Sequence, residues 1–276
     1  MRALRSYEMP PPATACFIAV CLVCGVVQLS MDPAATRRFT LSGNAVFVDG
    51  QWYRVITSAF LHGGALHLGM NALSTAAIGA ALERRAGSAF LFCYAAWAAP
   101  LSGFVAAALA FGWTLVTGDP AHAAQHGLGF SGVIFALAAS EAWRPPDRPR
   151  SLFGLVAVPG ALYPWALLVA MQVAIPRVSF VGHLAGLLVG FAEVWGLLDG
   201  ALPGRAGREA LDGACRPLRL PGYVASPADA GAGGAAAACE LCAYGGHVAA
   251  CLASRLPRLP RRPPPPPAPV GACADV

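Results

Sequence analysis

The sequence predicts an all-α, polytopic membrane protein, on three observations. Of its 276 residues 57% are hydrophobic and only 12% charged, against a soluble average of about 45–50% apolar and about 25% charged. Six stretches carry few or no charges over lengths close to the roughly 20 apolar residues that a bilayer core takes. A polar, Pro- and Gly-rich segment follows the last of them, so the chain divides into a membrane domain over 1–200 and a low-complexity, cytosolic, disordered tail over 201–276.

The first span runs from Thr14 to Ser30, behind Arg2 and Arg5. No small-residue cleavage site follows it, so an uncleaved helix is expected rather than a signal peptide. A loop of turn formers leads through Trp52, Tyr53 and Arg54, aromatics that suit a membrane interface. The second span covers Ala65 to Leu82 and closes at Glu83, Arg84 and Arg85; the third covers Ser88 to Gly112, with bends expected at Pro100 and Gly103. A loop holding Asp119, His122 and His126 precedes the short fourth span, Gly129 to Trp143, which Arg144, Pro145 and Pro146 terminate. Pro159 and Pro164 interrupt the fifth, Gly160 to Ile175, and Pro176 ends it; the sixth is Ser179 to Leu198.

Six spans place both termini on one side, and arginine in short loops tells which. A cytoplasmic N-terminus collects Arg2, Arg5, Arg84, Arg85, Arg144, Arg148 and Arg150 with the tail arginines, leaving Arg37, Arg38, Arg54 and Arg177 opposite. The N-in, C-in arrangement follows. All 19 basic residues are arginine, scattered rather than clustered with aromatics, which gives no reason to expect a nucleic-acid partner. The nine cysteines, with Cys16, Cys21 and Cys24 in the first span, do not form the even framework of a secreted disulfide protein.

Polar side chains inside spans are costly and mark function. Four stand out: His67, Asn71, Ser131 and His183. The second, fourth and sixth spans all enter from the non-cytoplasmic face, which puts the four at one shallow depth. A serine becomes nucleophilic near neutral pH when a neutral imidazole lies within hydrogen-bond reach, and Ser131 with His183 can supply that pair. His67 and Asn71, at i and i+4, share a helix face; with the Ser131 backbone N–H they could form an oxyanion hole. Glu141 and Glu193 each lie ten residues beyond Ser131 and His183, about 15 Å along a helix, so the pattern favours a dyad. The two glutamates are expected near the cytoplasmic interface, hydrated or meeting Arg84 and Arg85. Taken singly each residue has a bland alternative: a serine bonds back to its own helix, and a histidine merely bridges helices. Gly182, Gly186 and Gly190, opposite Gly129, Gly132 and Ala136, permit close packing of the fourth and sixth spans.

These residues resemble the rhomboid family. His62-Gly63-Gly64-Ala65-Leu66-His67-Leu68-Gly69-Met70-Asn71 matches its His-rich stretch ending in Asn, Gly129-Phe130-Ser131-Gly132 its GxSG, and Gly182-His183-Leu184-Ala185-Gly186 with Gly190 its final motif. Trp52-Tyr53-Arg54 looks like its Trp-Arg signature, and Glu83 to Ser88 like its short loop. GxSG alone would be weak, since soluble hydrolases share it; the ordered set is specific and covers residues 14 to 200. The resemblance implies a six-helix bundle and an intramembrane serine endopeptidase. Its implied nucleophile is Ser131 and its base His183, with His67 and Asn71 as oxyanion-side donors, His62 as a structural residue, and no cofactor or metal. Its partners are transmembrane protein substrates and membrane lipid, cut near the non-cytoplasmic face. Phe135, where many relatives have tyrosine, is expected to stack on His183. Tyr163-Pro164-Trp165 through His183 looks most like endomembrane rhomboids, so ER or Golgi is expected, with a plastid or mitochondrial membrane as the second possibility.

Two other readings compete: a catalytically silent, derlin-type adaptor, against which the Ser-His pair argues, and a transporter, which lacks paired intramembrane carboxylates. In the tail, Cys239, Cys242, His247 and Cys251 approach a zinc-knuckle spacing, but biased composition is the better reading. Pro263 to Pro267 could form a polyproline II ligand, although a solvated end is favoured.

Overall fold

The computed structural model describes residues 9–144 and 148–227. Helix α1 (Pro12–Leu29) opens with proline at its first turn, where no N–H is wasted. Its other early N–H groups need partners, and no adjacent side chain caps them. The cap comes from far away: the wholly buried Glu83 carboxylate accepts from the Ala13 N–H (2.9 Å), the Thr14 N–H (2.8 Å) and the Thr14 hydroxyl (2.6 Å). The span-closing acidic residue is therefore also the first helix's anchor.

The long first loop folds into three short helices, α2 (Pro33–Arg37), α3 (Gly43–Phe47) and α4 (Arg54–Phe60). Asp32 and Ser42 cap the first two from their own side chains. Arg54 ties the loop together; 7% exposed, it donates to the carbonyls of Arg37 and Thr40 (2.8 Å each) and to Gln51 Oε1 (2.6 Å). The arginine of the Trp-Tyr-Arg stretch thus satisfies loop carbonyls at the ends of these short helices.

α5 (Ala65–Ser74) continues through one π turn, Thr75–Gly79, into α6 (Ala80–Ala86), and Gly87 at φ +95° ends it. α7 (Ser88–Thr117) is continuous over 30 residues and includes Pro100. Gly103 makes a contact: a Cβ there would lie 2.4 Å from the Val55 carbonyl oxygen, so glycine lets α4 press against α7. After α8 (Ala121–Ala124) come α9 (Ser131–Ala142), a hairpin of β1 (Arg150–Leu152) and β2 (Val156–Val158), a 3-10 turn, α10 (Tyr163–Ala174) and α11 (Phe180–Val194). Three helices, Pro12–Leu29, Ala65–Ala86 and Ser88–Thr117, are long and apolar enough to cross a membrane; the expected fourth to sixth spans are shorter apolar helices. The architecture is all-α, apart from the hairpin, among the described residues.

α9 is the centre: every residue from Val133 to Ala142 is buried, as expected of a helix apolar all round. Phe17, Tyr94, Phe130 and Leu137 fill one side, and Phe135, Leu168, Leu187 and Phe191 the other. Leu22, Val23, Leu66, Leu73, Val169 and Val173 point outward, a lipid-facing pattern that a soluble protein would not carry.

At the end of the bundle far from Ser131 the buried charges are paired. Glu141 meets Arg85 (2.9 Å), as the sequence suggested, and Arg150 (2.8 Å). Glu193 instead meets Arg144 (2.6 Å) and accepts from the Ser140 hydroxyl (2.8 Å). Removing one partner strands the other charge, so Arg144→Met is expected to destabilise the fold by about 3–5 kcal/mol, read as a lowered unfolding temperature in detergent. An unchanged midpoint would contradict the pairing.

The expected tail does not begin as disordered chain. α12 (Arg205–Cys215) is helical, the Tyr223 hydroxyl donates to Asp212 (2.6 Å), and Val224 returns to Ser88 through two bonds, Ser88 N–H to its carbonyl (2.7 Å) and its N–H to the Ser88 hydroxyl (3.0 Å). The spacing of 136 residues hid this from the sequence. The Cys239, Cys242, His247 and Cys251 pattern and the Pro263 to Pro267 run lie outside the described residues.

Candidate active site

Ser131 is the first residue of α9, behind Gly129 at φ +122° and buried Phe130. The Gly129 N–H donates to the Ser58 carbonyl (2.9 Å), which pins the entry strand to α4. The first N–H groups of α9 have no partner within the helix; Ser131, Gly132 and Val133, which carry them, line a cavity, and the helix dipole there favours negative charge.

Gly129 is glycine for two reasons. Its φ lies in the region that side chains avoid, and a Cβ there would sit 2.8 Å from His67 Cε1, 3.0 Å from His67 Nε2 and 3.8 Å from Ser131 Oγ. The imidazole and the hydroxyl thus converge on the space a methyl would fill. The Gly63 N–H donates to His67 Nδ1 (3.1 Å). A neutral ring whose Nδ1 accepts carries its proton on Nε2, so His67 presents an N–H donor toward Gly129. Asn71, 5% exposed, donates one amide hydrogen to the His67 carbonyl (2.9 Å) and keeps a second.

His183 lies one turn into α11, whose N-cap Ser179 accepts from the Gly182 N–H (3.1 Å). Its ring stacks on Phe135, centroids 4.5 Å apart and planes 25° apart, as the sequence suggested. Ser131 and Phe135 stand on one face of α9 at i and i+4. The imidazole therefore lies along the face that carries the serine. The glycines set that contact: Cβ atoms at Gly186 and Gly190 would lie 2.0 Å and 2.6 Å from the Gly132 and Ala136 carbonyl oxygens. No carboxylate bonds the buried His183 Nδ1, which has no partner among the described residues; packing on Phe135 orients the ring instead.

His62 is buried edge-on to His67, centroids 5.3 Å apart, with its backbone held at both ends by Gln28. It supports the site from behind. A vestibule of about 540 Å³ opens between Gln28, Arg37, Thr40, His126 and Leu128. Leu128 also lines the cavity of about 70 Å³ beside Ser131, so the two are neighbours. Thr40 Oγ1 bonds His126 Nδ1 (2.7 Å). Burial, then Arg37 and Arg54, push the His126 pKa below the usual imidazole range. Sequence reasoning picked out Ser131, His183, His67 and Asn71; it gave Gly63 no role of its own and missed Gln28, because both act through bonds to or from backbone groups that no side-chain pattern encodes.

A family model for the Rhomboid domain matches residues 49–200. Rhomboid-like protein 15 of Arabidopsis thaliana is 32% identical over 194 residues, 67% of this chain and 47% of that protein. Rhomboid-related protein 4 of Mus musculus is 36% identical over 147 residues, 53% of this chain and 46% of its own. Rhomboid-type serine protease B of Aspergillus fumigatus is 27% identical over 224 residues, 80% of each. The chain spans about half the length of the first two relatives.

Proposed function

Because the chain belongs to the rhomboid family and is a multi-pass membrane protein, we propose that it is an intramembrane serine endopeptidase that cuts transmembrane proteins near the non-cytoplasmic face. One observation carries this: the Ser131 hydroxyl and the His67 ring meet at Gly129, while His183 stacks one turn below on the same face of α9.

His183 takes the proton of the Ser131 hydroxyl as its oxygen attacks the scissile carbonyl. The oxyanion receives hydrogen bonds from the Ser131 N–H, the His67 Nε2–H and the second amide hydrogen of Asn71, donors of the kind that developing negative charge requires. The imidazolium then protonates the leaving amine, and a water entering through the vestibule, activated by His183, releases the acyl group. A hydrogen-bonded helix hides its carbonyls, so the substrate must unwind first. A substrate span with Gly or Pro near its non-cytoplasmic end is therefore expected to be cut faster than its all-Leu counterpart in proteoliposomes; equal rates contradict the requirement. By resemblance of the Tyr163 to His183 stretch, the membrane is that of the ER or Golgi.

A fluorophosphonate probe tests the proposal directly. Labelling of the wild type and none of Ser131→Ala supports the protease; absence of labelling in folded protein moves the chain to the silent-adaptor reading.

A further inference from the structure

The hairpin between α9 and α10 has a tip that water does not suit. Phe153, Leu155 and Val156 are 57%, 84% and 58% exposed. Phe153 and Gly154, at φ +53° and +76°, form the turn, closed by the Leu155 N–H on the Leu152 carbonyl (3.0 Å). Glycine or asparagine is the usual choice in that backbone region, and a phenylalanine there is strained. The chain keeps an exposed aromatic where an easier residue would serve.

The root of the hairpin is fixed. Arg150 binds Glu141 through its side chain (2.8 Å) and through the Glu141 carbonyl (3.0 Å), and Leu152, partly buried, packs against the cluster that includes Leu168 and Phe191. Depth follows from α9: its 12 residues rise about 18 Å, less than the roughly 30 Å of the hydrocarbon layer. With Ser131 within about 12 Å of the opposite surface, the shallow depth on which the proposed function rests, the end of α9 still lies inside the hydrocarbon layer and the hairpin that follows it reaches the lipid boundary. The exposed Leu162 and Trp165 at the start of α10 continue its apolar surface.

We propose that the Phe153 to Val156 tip is an anchor seated in the headgroup–acyl boundary of the leaflet at the arginine-rich end of the bundle. The strand edges of a two-stranded sheet retain unpaired backbone groups, which keeps the tip at the boundary and out of the hydrocarbon. Aromatic and aliphatic residues beside arginine are the composition that this boundary takes. The anchor holds α9 and α10 at a set depth and does not depend on the chemistry at Ser131.

The test places a solvatochromic amino acid at Phe153 by amber suppression in the otherwise unaltered full chain, with the same probe at exposed Asp119 as reference, in phosphatidylcholine–phosphatidylserine nanodiscs that open both faces. At position 153 the emission is expected to be blue-shifted, quenched by brominated acyl chains and protected from iodide. Thermal unfolding of both labelled proteins checks that the fold is retained. Iodide quenching at 153 equal to that at 119, with no quenching by brominated lipid, overturns the anchor and assigns the tip to water or to a protein partner.

Discussion

Replacing Ser131 by alanine is expected to abolish cleavage of a reconstituted transmembrane substrate, with kcat reduced on the order of 10³-fold or more and substrate binding little changed. The size follows from the roles: nucleophile and base act as one unit, so losing either removes most of what both supply. Alanine suits a helix start, and the side chain removed is half-buried at the pocket rather than part of the packed interior. The folded protein should therefore survive with an unfolding temperature close to wild type. Rates of peptide release measured in proteoliposomes decide the matter, and a variant that still cuts at the original site within a few-fold of wild type excludes Ser131 as the nucleophile.

The Gly186→Ala substitution is expected to have the largest effect on folding of any methyl added to the site. The new Cβ would lie 2.0 Å from the Gly132 carbonyl oxygen, 2.7 Å from its carbon and 2.9 Å from its Cα. All three are backbone atoms, which cannot swing aside. Ordinary overpacking costs about 1–3 kcal/mol; here α9 and α11 must separate, so the loss should reach or exceed the top of that range. Separation also moves His183 away from Ser131, and a shift of about 1 Å can cost on the order of 10²-fold in rate. Gly69→Ala is the matched reference, because nothing lies within 4 Å of its added methyl. Thermal unfolding and cleavage rates for the pair should diverge, and equal behaviour would show that the glycine contact does not set the geometry.

Much of the site was legible because its chemistry repeats in helical steps. His67 and Asn71, or Ser131 and Phe135, are four residues apart, so shared faces follow from spacing alone, and the glycine rows foretold which helices would touch. The residues that stayed hidden act across long separations or through the backbone. Glu83 reads as the polar end of a span, yet its carboxylate bonds Thr14, 69 residues earlier. Gly103 reads as a bend, and its close contact with Val55 was not foreseen. Glu193 was expected to be hydrated or to meet Arg84 and Arg85 and meets Arg144 instead, since which arginine reaches a given carboxylate depends on how α9 and α11 are staggered. The order beyond residue 200 was invisible because α12 is polar in composition and the segment gains its hold only when Val224 finds Ser88.

The bonds from Glu83 to Ala13 and Thr14 carry an implication for biogenesis. While the ribosome has made only the first hydrophobic segment, the amides at its leading edge have nothing but water and lipid headgroups to satisfy them. They acquire their permanent acceptor once the chain has been extended by some seventy residues and the second segment has turned back across the bilayer. The opening segment is thus held provisionally until its neighbour arrives, and the two settle into the membrane as a pair.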